Sequence, residues 1–429
     1  MVEIRGFRAL RYAPRVVGSL ASVVAPPYDV IGAAEQRRLW ERSPYNAVRL
    51  ILPAADLPAE QREQGYRRAA ERLQAWKETG ALAADPRPAF YLYRQRFTLP
   101  GGEIKTRQGF FGLARLTEWG EGIYRHEQTL PGPISDRIRL IESCRANLSS
   151  IFGLYSDPQG EVMAVFEAQT AGKPATGEAT DDQGVWHGLW RVDDPAAVAQ
   201  VSALLRERAV VVADGHHRYT ANLEYRRRQR AANPAAPSPA PWDYCLFYFG
   251  ALEDPGLVIL PTHQALSGLD GFAPMAFVER MRSTLIVEEF PSLTSLRDAL
   301  TLSERREMVA VGVLTAGPRY YLCVAPRPAC PQAPEEALDV SVLRHRLVEP
   351  LLQQHGAAES LEAHLRYTHD AQEALAWVAA GQVDVAFILR PTPLEQVRTV
   401  ALAHRLMPQK STYFWPKLLS GLVIYDHTI

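Results

Sequence analysis

Three segments of the chain carry apolar residues at the spacing of an amphipathic helix. Ala69, Leu73 and Trp76 recur on one face of a charged segment, which predicts a helix there. Residues 134–155 predict a helix followed by a strand, and residues 339–356 predict an amphipathic helix that ends at a glycine. Helices of this kind require a second layer against which their apolar faces pack.

Other apolar runs have the length and composition of strands. Residues 89–99 and 106–119 flank a Pro-Gly-Gly turn, which predicts a β-hairpin. Residues 308–316 and 383–389 are continuous apolar runs typical of buried strands. Because helices and strands do not alternate in regular βαβ units, we predict a mixed α/β fold of the α+β class.

The most unusual local pattern is a polar corner between a strand and a helix. Residues 208–213 are β-branched and apolar, and a segment with helical spacing follows the corner. The corner itself consists of Asp214, Gly215, His216, His217 and Arg218. Glycine permits a tight turn, and the first amides of a helix lack intrahelical acceptors. The pattern predicts a cradle for an anion, best suited to phosphate.

The acidic residue at this corner has several possible roles. Asp214 can cap the helix, coordinate a metal ion beside a phosphate, or accept a proton. Ordinary helix initiation also accounts for an aspartate at this position. A metal site formed by His216 and His217 is less well supported, because ligands on a helix are usually three or four residues apart.

Composition narrows the range of function classes. The chain has 429 residues, of which 47% are hydrophobic, and a formal net charge of −1. The near-zero charge does not favour binding to nucleic acid or to a membrane surface, and no apolar run is long enough for a membrane span. The four cysteines show no metal-binding or disulfide spacing, which favours reduced thiols and a cytoplasmic protein. The oligomeric state stays open.

Several other polar residues are candidates for a site. His126 and Glu127 form a His-Glu pair that can act as a general base with its orienting partner, or bind Mg²⁺; a surface ion pair is the structural alternative. Arg137 can reach a phosphate, while Asp136 beside it is favoured in a first helical turn for dipole reasons alone. Asp29 follows two prolines and can meet a metal ion or a substrate amine, or form a simple turn.

The second half of the chain adds a histidine and a hydroxyl-rich segment. His263 follows an apolar run and suits either a site or a satisfied position in the core. Lys410, Ser411 and Thr412 lack the glycines of a P-loop, so that motif is excluded. The segment that contains them can close over a substrate or pack on the core.

The sequence resembles known families in two respects. The box at residues 214–218 is similar to the phosphate-binding box of the ParB and sulfiredoxin-like fold, which includes the free-serine kinases. The whole chain resembles the family called domain of unknown function 1015. The segments that carry this second resemblance include APPYDVI, HEQT, GPISDR, ADGHHRYTA, LPTHQAL, LDVSVL and MPQKSTYFWPKLLSGLV.

The resemblance implies a nucleotide-binding core with further α/β elements at both ends. It divides the chain into an N-terminal segment at 1–108, a core at 109–265 that carries the box, and a C-terminal α/β domain at 266–429. It implies a phosphotransferase that uses ATP or ADP with Mg²⁺, acting on a small hydroxyl compound such as free serine. Phosphate binding is implied for Gly215, His216, His217, Arg218 and Arg137. Glu127 is the first implied proton acceptor and Asp214 the second, with His126 assisting, and Asp214 is also the tentative Mg²⁺ ligand. Substrate binding is implied for Asp29, His263, Lys410, Ser411 and Thr412.

Two departures from the family pattern bear on activity. Gln128 and Gln264 stand where the family usually has cations, so this member can have an altered or silenced site. Two other functions therefore stay open. One is a non-catalytic nucleotide-binding switch or ParB-like accessory protein. The other is a metal-dependent hydrolase that uses His126, Glu127, His216, His217 and His263.

Overall fold

The structure, a computed structural model, describes most of the chain as two compact units. The described residues are 2–54, 57–58, 61–304, 308–317, 319–329, 332–356 and 361–429. Unit 1 consists of Met1–Arg125, Thr129–Val258 and Pro416–Ile429, and unit 2 consists of His126–Gln128 and Ile259–Trp415. The division of the chain at 1–108, 109–265 and 266–429 stays a prediction.

Unit 1 is built on one large mixed sheet. The strands of this unit are β1 (Ile4–Arg5), β2 (Leu10–Tyr12), β3 (Leu82–Ala84), β4 (Phe90–Thr98), β5 (Ile104–Arg115), β6 (Ile123–Tyr124), β7 (Ala146–Asn147), β8 (Ile151–Tyr155), β9 (Gly177–Thr180), β10 (Trp186–Val192), β11 (Val210–Asp214) and β12 (Tyr244–Ala251). Of these, β2 pairs with β3, outside the large sheet, and β7 pairs with a C-terminal strand. The described sheet has the order β6-β11-β8-β12-β5-β4-β10-β9, with β1 beside β5. The β4–β5 hairpin predicted from the sequence is therefore confirmed.

Helices accompany this sheet along the chain. They are α1 (Pro14–Val17), α2 (Leu20–Val23), α3 (Ala33–Arg42), α4 (Val48–Ile51), α5 (Arg62–Glu78), α6 (Pro131–Cys144), α7 (Glu161–Thr170), α8 (Pro195–Leu205) and α9 (His216–Ala232), with 3-10 turns at Tyr28–Val30 and Pro241–Asp243. Ala69, Leu73 and Trp76 are buried on α5 as predicted. The core is aromatic: the ring centroid of Phe110 lies 4.7 Å from that of Phe166 and 5.2 Å from that of Phe249.

Unit 2 contains an antiparallel sheet of six described strands in the order β15-β17-β16-β19-β14-β18. The strands of this part of the chain are β13 (Val258–Leu260), β14 (His263–Leu266), β15 (Ile286–Phe290), β16 (Met308–Thr315), β17 (Arg319–Pro326), β18 (Leu365–Thr368), β19 (Val385–Ile388) and β20 (Tyr413–Trp415), while β21 (Tyr425–Asp426) returns to unit 1 and pairs with β7. Its helices are α10 (Pro274–Arg282), α11 (Leu293–Glu304), α12 (Asp339–Leu343), α13 (Glu349–Gln354), α14 (Leu361–His364), α15 (Ala371–Ala379) and α16 (Leu394–Leu402), with a 3-10 turn at Pro334–Ala337.

The helix predicted over 339–356 is divided rather than continuous. A π-helical stretch, Arg344–Val348, separates α12 from α13. Pro350 explains the interruption, because proline inside a helix cannot donate to the preceding turn and clashes with the carbonyl four residues earlier. Gly356 ends the segment with a φ of 68°, as its position predicted.

The fold confirms the mixed α/β class. Cys144, Cys245 and Cys323 are buried free thiols, and Cys330 lies outside the described residues. Among the described residues, no helix has the length and apolar character required to cross a membrane.

Gly109 in the middle of β5 provides a test of this packing. A Cβ atom at Gly109 would lie 2.3 Å from the Phe249 carbonyl oxygen and 2.5 Å from the Tyr248 ring. We expect Gly109→Ala to lower the free energy of unfolding by about 1–3 kcal/mol, because a close-packed core accommodates added volume poorly. Urea denaturation followed by tryptophan fluorescence measures this change. Gly101→Ala, where a Cβ would have no neighbour within 4 Å, is the control and should change stability by less than about 0.5 kcal/mol; equal effects of the two variants would contradict the assigned packing.

Candidate functional site

The polar corner lies where strand β11 ends and helix α9 begins, as the sequence predicted. The pairing of β11 with β8 shifts register between Val212 and Asp214, so the strand bends before the helix starts. Gly215 precedes the first helical residue with a φ of 96°, a left-handed conformation that favours glycine. A Cβ at Gly215 would lie 3.0 Å from the Arg218 guanidinium carbon, so the absent side chain also leaves room for Arg218.

The guanidinium of Arg218 folds back toward the strand from which the helix emerges. Its Nη2 donates to Asp214 Oδ2 at 2.5 Å, and its Nη1 donates to the carbonyl oxygen of Ser150, just before β8. The Arg218 side chain is only 8% exposed. Asp214 and Ser150 therefore fix the orientation of this cation.

Asp214 is shared between two cations. Its Oδ1 accepts a hydrogen bond from Lys417 Nζ at 3.1 Å. Burial opposes ionisation of the carboxyl, but Lys417 and Arg218 outweigh it and hold the pKa of Asp214 well below its usual range. A carboxylate with so low a pKa is a weak base, so the geometry favours a structural and charge-pairing role over proton acceptance.

Lys417 reaches Asp214 because the C-terminal segment is anchored by its backbone. Gln95 Nε2 donates to the carbonyl oxygen of Lys417 at 3.0 Å, and Arg107 donates to the carbonyl oxygen of Pro416. Arg107 is 1% exposed and also donates to Gln95 Oε1. A fully buried arginine thus holds the segment that carries the second cation of the corner.

His217 links the beginning of α9 to the beginning of α6. Its Nε2 accepts a hydrogen bond from the backbone N–H of Leu130 at 3.0 Å, and Leu130 immediately precedes α6. An accepting Nε2 requires the neutral ring with its proton on Nδ1. Two helix N-termini, each with the positive end of a macrodipole, therefore lie close together in unit 1.

Arg137, the second predicted phosphate-binding arginine, is held in a similar way. Its Nε donates to Asp136 Oδ2 at 2.8 Å and its Nη1 to the carbonyl oxygen of Ile51 at 2.8 Å. The guanidinium lies over the Tyr28 ring, 3.9 Å from the centroid, and Tyr66 donates to the other carboxylate oxygen of Asp136. Asp136 therefore orients Arg137. It does not lie in a first helical turn, because α6 begins at Pro131, five residues earlier.

Arg137 and Arg218 line one cavity. The cavity has a volume of about 30 Å³ and lies between α6, α9 and the loop before β8. Asn147 and Asn222 form part of its wall and bond to each other at 2.8 Å. The structure thus brings two of the predicted phosphate-binding residues together at one small cavity.

Asp29 lies near the same group of charges. Burial lowers the pKa of Arg218, but Asp214 and Asp29 raise it by more. Asp29 follows Tyr28 in a short 3-10 turn, Tyr28–Val30, that the Pro-Pro sequence introduces. The APPYDVI segment therefore contributes both an aromatic ring and a carboxylate to this part of unit 1.

Apart from His216, the first residue of α9 in unit 1, the remaining candidates lie in unit 2. His126 Nε2 shares a 3.0 Å hydrogen bond with Thr412 Oγ1, and the residue after His126, Glu127, forms a β-bridge with Met407. His263 Nδ1 accepts from the N–H of Leu389 at 3.1 Å, and burial lowers the pKa of His263 to about 4. A neutral, buried and bonded imidazole corresponds to the satisfied core histidine that the sequence left as an alternative.

The described residues contain no group of three or more histidine, cysteine, aspartate or glutamate side chains arranged to hold a metal ion. The histidines proposed for a metal-dependent hydrolase therefore do not assemble into a ligand cluster within the described part of either unit. The site roles inferred from the sequence stay predictions.

Comparison with known proteins identifies the family. The profile of the proteins of unknown function named DUF1015 matches residues 4–341. The chain belongs to this family. The family membership predicted from the sequence segments is thus confirmed, and no curated protein matches the sequence.

Solved structures show more distant similarity. A free serine kinase variant in complex with AMP is similar with a TM-score of 0.35 and 14% identity, covering 70% of this chain and 90% of that chain. A conserved hypothetical protein from Pyrococcus furiosus gives a TM-score of 0.33 and 15% identity, with 69% and 88% covered. SbnI with a C-terminal truncation, from Staphylococcus aureus, gives a TM-score of 0.35 and 11% identity, with 73% and 86% covered.

Sequence reasoning missed several residues of this DUF1015 site. Lys417 is 203 positions from Asp214, and only its presence in a family-like segment distinguished it from other lysines. Arg107 sits in a strand with no local motif, and Asn147 and Asn222 carry no signal of their own. Their roles arise from long-range contacts that no spacing rule encodes.

The ion pairs of Asp214 predict a specific dependence of stability on pH. Asp214→Asn should lower the free energy of unfolding at pH 7 by about 3 kcal/mol, the lower end of the range for breaking a buried pair, since the carboxylate is 21% exposed. Because folding lowers the pKa of Asp214, the ionised carboxylate stabilises the fold at pH values above its pKa in the unfolded chain, which is about 4. This stabilisation is lost progressively as the pH falls below about 4 toward the lower pKa of the folded state. Urea unfolding at pH 7, 4 and 2.5 measures the difference between variant and wild type.

Glu207→Gln, which neutralises an exposed carboxylate in the same unit, is the control. It should have little effect on the free energy of unfolding at any of the three pH values. A stability difference for Asp214→Asn that is as large at pH 2.5 as at pH 7 would show that the carboxylate charge is not what matters.

Proposed function

We propose that this DUF1015 protein is a nucleotide-dependent phosphotransferase that acts on a small hydroxyl compound, with free serine as the first candidate acceptor. ATP or ADP is the proposed nucleotide, and its phosphates bind at the corner between β11 and α9. The proposal includes a cytoplasmic location, as the cysteine usage predicted.

The observation that carries the proposal is the pair of fixed guanidinium groups at one cavity. Arg137 and Arg218 line a space of about 30 Å³, and each is oriented by its own carboxylate, Asp136 or Asp214. Pre-oriented arginines match the geometry of phosphate oxygen atoms and lose little entropy on binding them. Nearby helix N-termini add positive potential.

The proposed Mg²⁺ ion rests on the sequence resemblance, with Asp214 and Asp29 as the carboxylates that would hold it. Asp214 and Asp29 both act on Arg218, and Mg²⁺ in nucleotide sites is commonly held by one or two carboxylates together with phosphate oxygens. When bound, the ion would neutralise phosphate charge. The protein's own contribution is to hold the phosphates in place and to surround them with fixed cations, which accounts for most of the catalysis in phosphoryl transfer.

Glu127 is the proposed acceptor of the proton from the substrate hydroxyl, a role that rests on the sequence resemblance. The proposed substrate contacts of Asp29, Lys410, Ser411 and Thr412 have the same basis. If nucleotide binds but no phosphate is transferred, the protein is a nucleotide-binding switch, the function that the neutral Gln128 and Gln264 would favour.

The proposal is tested by ligand binding to a pair of arginine variants. A thermal-shift screen with ATP, ADP, CTP, serine and phosphoserine, with and without Mg²⁺, should show a higher melting temperature with a nucleotide. Isothermal titration then compares Arg218→Ala with Arg228→Ala, an exposed arginine on the same helix. We expect at least tenfold weaker nucleotide binding for Arg218→Ala, since a hydrogen bond to a charged group contributes about 1.5–3 kcal/mol.

Circular dichroism must show that Arg218→Ala is folded, because Arg218 also pairs with Asp214. If that variant unfolds, Lys417→Met removes the second cation and should weaken nucleotide binding likewise. Nucleotide affinity equal to that of the wild type in a folded variant would refute the phosphate-binding role of the corner.

A further inference from the structure

Unit 2 contains a second polar cavity, formed where one end of its sheet meets α12 and the loop before β20. The cavity has a volume of about 20 Å³ and is lined in part by Thr262, Asp339, Arg390, Lys410 and Ser411. Thr262 immediately precedes β14 and Arg390 follows β19. Because these strands are antiparallel neighbours with Gln264 opposite Phe387, the two residues emerge at the same sheet end.

Two nitrogens of the Arg390 guanidinium form hydrogen bonds with the protein, and the third does not within the described part of the chain. Its Nε donates to Asp339 Oδ2 at 2.7 Å, and its Nη2 donates to the carbonyl oxygen of Met308 at 2.8 Å. Its Nη1 is buried and has no hydrogen-bond partner among the described residues. The side chain is 7% exposed, so this nitrogen is a charged donor removed from solvent.

Thr262 presents a second buried donor at the same cavity. The residue is 6% exposed, and its Oγ1 has no hydrogen-bond partner among the described residues. Buried polar groups in folded proteins are nearly always bonded. Because both residues line one small cavity, we infer that a bound group in the cavity forms hydrogen bonds with Arg390 Nη1 and Thr262 Oγ1.

The charges around the cavity favour an anion. Its titratable lining residues are two cations, Arg390 and Lys410, and one carboxylate, Asp339, which is already shared between Arg390 and Arg327. Lys410 has a φ of 59°, a conformation that is uncommon for a residue with a side chain. The loop that carries it is pinned by a 2.9 Å hydrogen bond from Thr392 Oγ1 to the carbonyl oxygen of Ser411.

We propose that this cavity of unit 2 is a binding subsite for one oxyanion group, a carboxylate or a phosphate, of a small ligand. The anionic oxygen atoms accept hydrogen bonds from Arg390 Nη1 and Thr262 Oγ1, while Lys410 supplies positive charge at the cavity. The cavity has about 20 Å³ of space for water-sized groups, and one water molecule requires roughly 10–15 Å³, so it admits one or two oxygen atoms of the anionic group. The subsite does not depend on the phosphate-binding role proposed for unit 1.

The test is isothermal titration of the full chain with inorganic phosphate and, separately, with acetate. We expect the wild type to bind at least one of the two anions, and the one that binds identifies the class of group. Thr262→Val, which replaces only the hydroxyl, should weaken that binding at least fivefold. Thr315→Val is the matched control, because Thr315 is also a buried threonine of unit 2 whose hydroxyl has no partner among the described residues, and it does not line the cavity.

A second variant addresses the arginine. Arg390→Lys keeps a positive charge beside Asp339 but has no counterpart of the Nη1 donor, so it should weaken anion binding at least fivefold while remaining folded by circular dichroism. Failure of both anions to bind the wild type would overturn the proposal, as would equal anion affinity of Thr262→Val and Thr315→Val. Arg218→Ala changes only unit 1 and Thr262→Val changes only unit 2. Nucleotide binding by the first variant and anion binding by the second therefore test the two proposals separately.

Discussion

The carboxylate of Asp214, paired with Arg218 and Lys417, is the interaction on which the candidate site of unit 1 depends. It joins the end of β11, the first turn of α9 and the C-terminal segment, which are far apart in the sequence. An ion pair so protected from solvent is stabilising only when the geometry is good and the remaining donors are satisfied. Here Ser150 accepts from the remaining terminal nitrogen of Arg218, and backbone bonds from Gln95 and Arg107 hold the segment of Lys417.

Both units use a carboxylate to orient an arginine at a small cavity. In unit 1 Asp214 orients Arg218, and in unit 2 Asp339 orients Arg390. A guanidinium held in this way keeps its charge and loses little conformational freedom when it binds an anion. The two arginines differ in the hydrogen bonds of their terminal nitrogens. Both terminal nitrogens of Arg218 donate to the protein, whereas Arg390 has a buried nitrogen without a partner among the described residues.

Local sequence patterns predicted most of the elements that surround the site. The β4–β5 hairpin, the buried face of α5 and the corner at Gly215 follow from period, turn chemistry and the conformational freedom of glycine. Patterns failed where one residue changed the local rule, as Pro350 does in dividing the helix at 339–356. The environment of His263 was also left open, because its burial depends on the neighbouring strand β19 and not on adjacent residues.

The sequence by itself determined the fold class, the family, and a strand-to-helix corner with histidines and an arginine at its start. These features depend on contacts within a few residues and on the short segments by which relatives are identified. Only the tertiary structure decided which polar side chains meet: Lys417 with Asp214, Arg137 with Arg218 at one cavity, and Arg390 with Thr262 at another. Such partners are brought together by sheet order and helix packing, and because an ion pair requires only proximity in space, no spacing in the sequence reveals it.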